Sequence, residues 1–295
     1  MKKPKLIILY GLPGSGKTTY AKKLAKDPMY VHLSSDDIRE QLIGREITTE
    51  DPASLVPHST VFEHMQDLAI KCLNEGYNVI YDATNITRKA RKAIIWLVPK
   101  FAKVECHVVW NSIEQCIEND ETRKRTVGKE VIDRMVKHFQ APFYDEGIHE
   151  IKIVLPDEHY KEVYFDQIAA SLVNPHDNHH HTRPVNEHCV EAWTYMKSIT
   201  NDLELTLAAL IHDIGKPYVK SFTDSKGNPT DEAHYYQHQC VGAWMSYGMS
   251  EVTAYVAWLI STHMDTYLDT KYYRSLPEYL KRDIDLLHEA DLNAH

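Results

Sequence analysis

The first half of the chain alternates short apolar runs with amphipathic stretches. Residues 6–10, 31–33, 78–81 and 104–110 are apolar runs of strand length, and residues 148–155 alternate apolar with polar positions. Between them, residues 18–26, 61–76, 112–125 and 130–137 carry a helical period, the second of these closed by Gly76. Residues 41–60 are polar and read as a loop. Strands alternating with helices predict an α/β domain, a parallel sheet with helices on both faces. Beyond residue 176 the strand signal stops. Residues 203–211, 234–247, 252–263 and 276–287 all read as helices, which predicts a second, all-α domain. The pattern divides the chain into residues 1–155, a connection at 156–175 containing one helix, and residues 176–295.

Composition sharpens this division. The chain of 295 residues is comfortable for two domains, and 43% hydrophobic with 25% charged residues is ordinary globular usage. No stretch approaches the ~18 apolar residues of a membrane span, so no membrane partner is expected. The net charge of −9 is uneven: the first 150 residues hold 22 of the 33 basic and 21 of the 42 acidic side chains. An acidic second half argues against a broad basic face for non-specific duplex binding but leaves room for a local basic groove. Only six of the 18 histidines precede residue 151. The five cysteines are scattered and never form C-x-x-C, which speaks against a disulfide framework or zinc knuckle and for a reducing, cytoplasmic setting.

Chemistry begins at Gly11-Leu12-Pro13-Gly14-Ser15-Gly16-Lys17-Thr18-Thr19, which fits G-x-x-x-x-G-K-[ST] without a mismatch. The glycines let successive N–H groups point inward around a nucleoside triphosphate. Lys17 reaches its β- and γ-phosphates, and the Thr18 hydroxyl suits Mg²⁺. Residues 6–10 supply the strand before the loop, and residues 18–26 the helix whose N-terminus faces the phosphates. ATP and Mg²⁺ are the expected cofactors. Ser34-Ser35-Asp36-Asp37-Ile38-Arg39 follows the second strand at the edge where α/β sheets bind ligands, and it is also a good helix cap. Asp82 ends the next strand at the same edge. Arg88, Lys89, Arg91 and Lys92 form a basic helix face, open either to an acidic polymer or to solvent. Arg123 and Arg125 are candidates for a lid that neutralises charge on a transferring phosphoryl group, or for a helix end.

Taken together, GLPGSGKTT, SSDDIR, VIYDATN, the basic lid and VIDRMVKHFQAP resemble the 5′-hydroxyl polynucleotide kinase family of small P-loop phosphotransferases, over roughly residues 5–155. The resemblance implies that Asp36 is the general base on an acceptor hydroxyl and that Arg39 contacts the acceptor or the transferring phosphate. Glu118-Asn119 and Val127-Gly128 stand where that family carries R-N-x-x-R and V-P. Kinases for small hydroxyl acceptors share much of the pattern, so the acceptor class stays open.

In the second half the informative residues are His188, the apolar run ending in His212-Asp213-Ile214-Gly215-Lys216-Pro217, and Asp291. Imidazole beside carboxylate on separate helices is how helical bundles hold a divalent metal that activates water. A His-rich tract at His176, His179, His180 and His181 precedes them. Residues 176–295 resemble the HD-domain metal phosphohydrolases, which implies His188, His212, Asp213 and Asp291 as ligands of a metal such as Mn²⁺, Ni²⁺, Co²⁺ or Zn²⁺. It further implies His238 and His263 as ligands of a second metal bridged by Asp213, and Lys216 as a contact for substrate phosphate. HDIGKP, HYYQHQCVGAWM and LISTHM are similar to the HD domains of CCA-adding tRNA enzymes, which act on 2′-phosphates and 2′,3′-cyclic phosphates. Joined, the two resemblances imply a bifunctional enzyme that heals RNA, or DNA, ends: kinase at a 5′-hydroxyl, phosphohydrolase at a 2′,3′-cyclic or terminal phosphate. A nucleoside or small-molecule kinase fused to a nucleotidase, and a non-catalytic ATP-gated sensor, are the competing readings.

Overall fold

The computed structural model describes residues 3–48, 51, 55–156, 169, 173, 177 and 183–294. They fall into two compact units, residues 1–135 with 142–156 and residues 136–141 with 157–295. The helix expected within 156–175, and His176, His179, His180 and His181, lie on positions outside the described residues.

The first unit is built on five parallel strands: β1 (Lys5–Tyr10), β2 (Tyr30–Ser34), β3 (Asn78–Asp82), β4 (Lys103–Val109) and β5 (Glu150–Val154). Their order is β2-β3-β1-β4-β5. Both faces of β1 are covered, which is why residues 6–10 read as an unbroken apolar run rather than an alternation. Helix α1 (Lys17–Leu24) lays Ala21, Tyr20 and Leu24 on the face formed by Ile7, Leu9, Ile80 and Val109. Helix α2 (Ser35–Ile43) follows β2, and α3 (His58–Asn74) buries Val61, Met65, Ala69 and Leu73, one residue per turn. Because β1 lies between β3 and β4, the chain crosses the sheet in opposite directions on its two sides. The C-terminal ends of β1, β2 and β3 deliver the phosphate loop, Ser34-Ser35-Asp36 and Asp82 to that switch point.

Helix α4 (Arg88–Ile95) corrects part of the basic-face reading. Arg91 does not meet solvent: it is fully buried, donates from Nε and Nη2 to Glu146 at 2.8 and 2.6 Å, and lies 5.0 Å from the Tyr10 ring centre. The helix expected over 112–125 is α5 (Ile113–Glu121) and stops short of the arginines. The Asp120 carboxylate takes the N–H groups of Val127 and Gly128, folding the chain back, so Arg123 and Arg125 stand on a loop before α6 (Lys129–Val136).

In the second unit the described helices are α7 (Val185–Ile199), α8 (Leu203–Ile211), α9 (Lys216–Val219), α10 (His238–Ser246), α11 (Ala254–Thr262), α12 (Met264–Tyr267), α13 (Lys271–Ser275) and α14 (Glu278–Leu292). Helices α8 and α11 are apolar nearly all round and are correspondingly buried. Phe139, from residues 136–141, lies edge-on to Trp244 and Tyr247 in this core. The helical pattern carries one insertion. Residues 229–234 pair with 221–223 as an antiparallel hairpin, β6 (Ser221–Thr223) and β7 (Pro229–His234), so the helix expected from 234 begins at His238. The hairpin is local turn chemistry: Asp224 Oδ1 accepts from the N–H groups of Lys226 and Asn228, and Gly227 takes φ 85°.

Candidate functional site

The phosphate loop is shaped by close approach. A Cβ at Gly11 would lie 2.5 Å from the Val109 carbonyl oxygen, and one at Gly14 would collide with the Cys116 carbonyl. Gly14 and Gly16 also adopt positive φ (77° and 98°), open to glycine at no steric cost. From α5, Asn119 Nδ2 donates to the Gly14 carbonyl at 2.8 Å and so pins the loop. Helix α1 has no acidic residue in its first turn, which leaves its positive end for an anion. Thr19 is exposed on that turn. Lys17 Nζ donates to the Leu12 carbonyl at 2.7 Å, and burial lowers its pKa to about 8. Ser15 Oγ is buried in the loop with no hydrogen-bond partner among the described residues. A short-range donor set and an orphaned hydroxyl inside a glycine cradle fit a polyphosphate.

Thr18 Oγ1 donates to Asp82 Oδ2 at 2.9 Å. Asp82, 4% exposed, is a site residue that the motif reading placed at the right edge but gave no role; its signal was a carboxylate ending an apolar strand in VIYDATN. Such a hydroxyl–carboxylate pair fits Mg²⁺ bound through Thr18 with Asp82 behind it.

Asp36 stands in the first turn of α2 while Ser34 Oγ caps that helix by accepting from the Asp37 N–H, so the capping and functional readings of SSDDIR both hold. Arg125 Nη1 lies 3.4 Å from Asp36 Oδ1 and Arg123 Nη2 3.7 Å from Oδ2. The structure therefore gathers the expected base and both lid arginines. Arg39 is 6% exposed; it donates to the Val56 carbonyl at 2.9 Å and lies 3.2 Å from His58 Nδ1, and burial with Arg125 nearby lowers its pKa.

In the second unit six side chains converge from α7, α10 and α14 and from the residues that follow directly on α8 and α11. His188 Nε2, His212 Nε2, Asp213 and Asp291 offer ligand atoms within 4.8 Å of one another, and so do Asp213, His238 and His263. Nε2 of His188 lies 2.9 Å from Asp291 Oδ1, and Nε2 of His238 lies 3.2 Å from Asp213 Oδ1. The remote ring nitrogens explain the arrangement. Nδ1 of His188, His212, His238 and His263 each face a backbone carbonyl, of Ala294, Ala209, Tyr235 and Ile260, at 2.8–2.9 Å. Each Nδ1 donates there, which aims every Nε2 inward, and in a neutral ring that Nε2 offers a lone pair. His188 and His212 Nε2 are 3.3 Å apart, and His238 and His263 Nε2 3.0 Å apart. Two inward ring nitrogens at such distances require a cation between them, either a proton or a metal ion.

Burial works against a charge on His212, but Asp213 and Asp291 raise its pKa well above the ordinary imidazole value, so the cluster favours positive charge there. Burial, with His238 and His212 beside it, lowers the His263 pKa to about 3, so it is neutral. Burial works against ionisation of Asp213 and Asp291, but the imidazoles, and Lys216 for Asp213, hold both carboxylates well below the usual range. Asp213 turns Oδ2 toward His188 and His212 (3.4 and 3.3 Å) and Oδ1 toward His238, the geometry of a bridging ligand. Lys216, 5% exposed, sits 2.5 Å from Asp213 Oδ2 and 5.7 Å from the Tyr235 ring centre. Gly215 makes the cluster feasible, because a Cβ there would strike the His238 carbonyl and lie 2.6 Å from the Gly242 nitrogen. The donor set fits one or two divalent metals.

A phosphate loop at the switch point of a parallel sheet, and an inward His/Asp cluster in a helical unit, define a P-loop domain of kinase type joined to a helical domain that carries a candidate metal site. Residues 6–142 match the AAA domain and residues 185–290 match the HD domain. Human adenylate kinase isoenzyme 1 is 29% identical over 89 residues, 28% of this chain and 46% of that protein. Among solved structures, a chain of the Pnkp1/Rnl/Hen1 RNA repair complex is 24% identical over 47% of this chain and 44% of that one, with a TM-score of 0.40. A fungal RNA kinase is 14% identical over 59% of this chain and 87% of that one, with a TM-score of 0.36. The chain thus spans less than half the length of the human protein it matches. No described helix is long and apolar enough to cross a membrane.

Proposed function

We propose that the chain is a bifunctional end-healing enzyme: an ATP-dependent 5′-hydroxyl kinase of RNA, or DNA, ends in the first unit and a metal-dependent phosphohydrolase of 2′,3′-cyclic or terminal phosphates in the second. The observation that carries it is Asp36 held between Arg123 and Arg125 beside the phosphate loop. A carboxylate that accepts a hydroxyl proton, next to cations that meet charge on a transferring phosphoryl, is what phosphoryl transfer to an alcohol requires. Asp36 takes the acceptor's proton as its oxygen attacks the γ-phosphorus, ADP leaves, and the arginines turn from the carboxylate to the phosphoryl oxygens. Mg²⁺, when bound, neutralises charge on the β- and γ-oxygens.

In the second unit, His188, His212, Asp213 and Asp291 would hold one divalent cation such as Mn²⁺, Ni²⁺, Co²⁺ or Zn²⁺, with His238, His263 and Asp213 available to a second. The metal supplies the Lewis acidity that makes water a nucleophile near neutral pH. Lys216, which pairs with Asp213 at the edge of this set, is suited to a substrate phosphate. The fusion is intelligible because a ribonuclease that leaves 5′-hydroxyl and 2′,3′-cyclic phosphate ends creates a substrate for each unit.

The deciding experiment incubates one short RNA bearing both ends with γ-labelled ATP, Mg²⁺ and separately Mn²⁺, Ni²⁺ or Co²⁺. Label appears at the 5′ end and phosphate is lost at the other. Lys17→Ala and Asp36→Asn abolish only the first change, and His212→Ala and Asp213→Asn only the second. Loss of both activities from one substitution would sink the two-site reading. The stretch matched to adenylate kinase favours one rival, a kinase for a nucleotide acceptor; a mononucleotide preferred over an oligonucleotide in direct competition would establish it.

A further inference from the structure

His32 lies on β2, whose register sets His32 opposite Ile80 and Ser34 opposite Asp82. In a parallel pair this puts the His32 and Asp82 side chains on the same face, one diagonal step apart, and it is the face that α1 covers through Ile80. The result is a line of three groups: Thr18 Oγ1 donates to Asp82 Oδ2 at 2.9 Å, and His32 Nε2 lies 3.0 Å from the same oxygen. Asp82 Oδ1 has no hydrogen bond to any described residue. A carboxylate buried only for packing gains most by spreading its donors over both oxygens. Here both donors take one oxygen, which fixes the carboxylate plane and leaves the other oxygen to act.

We propose that His32 is a positioning residue for the Mg²⁺ of the bound nucleotide, holding Asp82 so that Oδ1 accepts from the ion's water shell while Oδ2 orients the Thr18 hydroxyl. The proposal rests on the reading that the first unit binds a nucleoside triphosphate with Mg²⁺. The ion keeps several waters at such sites, and an outer carboxylate that accepts from them tunes affinity without touching the metal. Imidazole contributes a donor on a short, stiff side chain. Only groups whose donor stands at the Nε2 distance from the backbone can replace it, so glutamine is a fair substitute, whereas the asparagine amide nitrogen falls near the Nδ1 position and is not.

The test measures binding of a fluorescent ATP analogue to the full chain, first in chelator and then across a Mg²⁺ titration. It needs no acceptor and no turnover. His32→Ala and His32→Asn bind the metal-free analogue within about twofold of wild type but need about tenfold more Mg²⁺ for half of the enhancement, the usual scale for an outer-shell partner. His32→Gln restores the wild-type requirement. Equal weakening with and without Mg²⁺, an unchanged Mg²⁺ requirement in His32→Ala, or a His32→Gln variant as impaired as His32→Ala would each overturn the proposal. Wild-type protein that binds no analogue even in Mg²⁺ would instead overturn the underlying reading, and the proposal with it.

Discussion

Arg91 shows how a residue's role is set by what lies across from it. Its guanidinium is fully buried and spans both oxygens of Glu146, and Nη1 also donates to the Asn85 carbonyl at 3.1 Å. Removing one partner leaves the other charge desolvated and alone, which costs more than the pair itself contributes. Arg91→Ala is therefore expected to destabilise the first unit by about 3–5 kcal/mol in denaturant unfolding. Arg91→Met combined with Glu146→Leu, which removes both charges, is expected to recover most of that loss. A double variant as unstable as the single one would contradict the account. The histidines of the second unit obey the same rule in another form. Four backbone carbonyls take the Nδ1 positions, and so decide that Nε2 is the nitrogen each ring turns inward.

At the scale of elements, the sites depend on where helices end and how closely they approach. Helix α5 stops at Glu121 because Asp120 turns back to the Val127 and Gly128 N–H groups, and this puts Arg123 and Arg125 on a loop that reaches Asp36. Gly215 plays the matching part in the second unit, letting the start of α9 meet the start of α10 so that His238 faces Asp213. Gly215→Ala forces that contact apart and is expected to cost about 1–3 kcal/mol, the range of overpacked cores. It is also expected to weaken metal binding by calorimetry. Unchanged metal affinity in a destabilised variant would show that the approach serves packing alone.

For the whole molecule, two compact units with separate ligand sets imply separate responses. A ligand that binds only one folded unit stabilises that unit by RT ln(1 + [L]/Kd), about 2.7 kcal/mol at a hundredfold excess over Kd. Differential scanning calorimetry is expected to resolve two transitions. ATP with Mg²⁺ raises one, and Mn²⁺ or Ni²⁺ raises the other, which a chelator then lowers. The assignment is fixed by Gly14→Ala, which removes the nucleotide shift through its collision with Cys116, and by Asp213→Asn, which removes the metal shift. A single transition moved by either ligand would mean that the units unfold together.

The chain's one-dimensional pattern was enough for the α/β-then-helical architecture and the phosphate loop, because these rest on short-range rules of apolar periodicity and glycine conformation, whereas the His/Asp set was expected from a family resemblance and its convergence needed the folded bundle. Helix 203–211 agrees with α8 at both ends for that reason. The hairpin of β6 and β7 escaped because its strands are short and mostly polar, and their pairing rests on the Asp224 turn rather than on periodicity. Burial of Arg91, the pinning of Gly14 by Asn119, and the use of Asp82 and His32 around Thr18 depend on residues between 50 and 105 positions apart. No local pattern encodes such pairs, since whether a charge meets solvent or a partner is decided only when the sheet and bundle have closed around it.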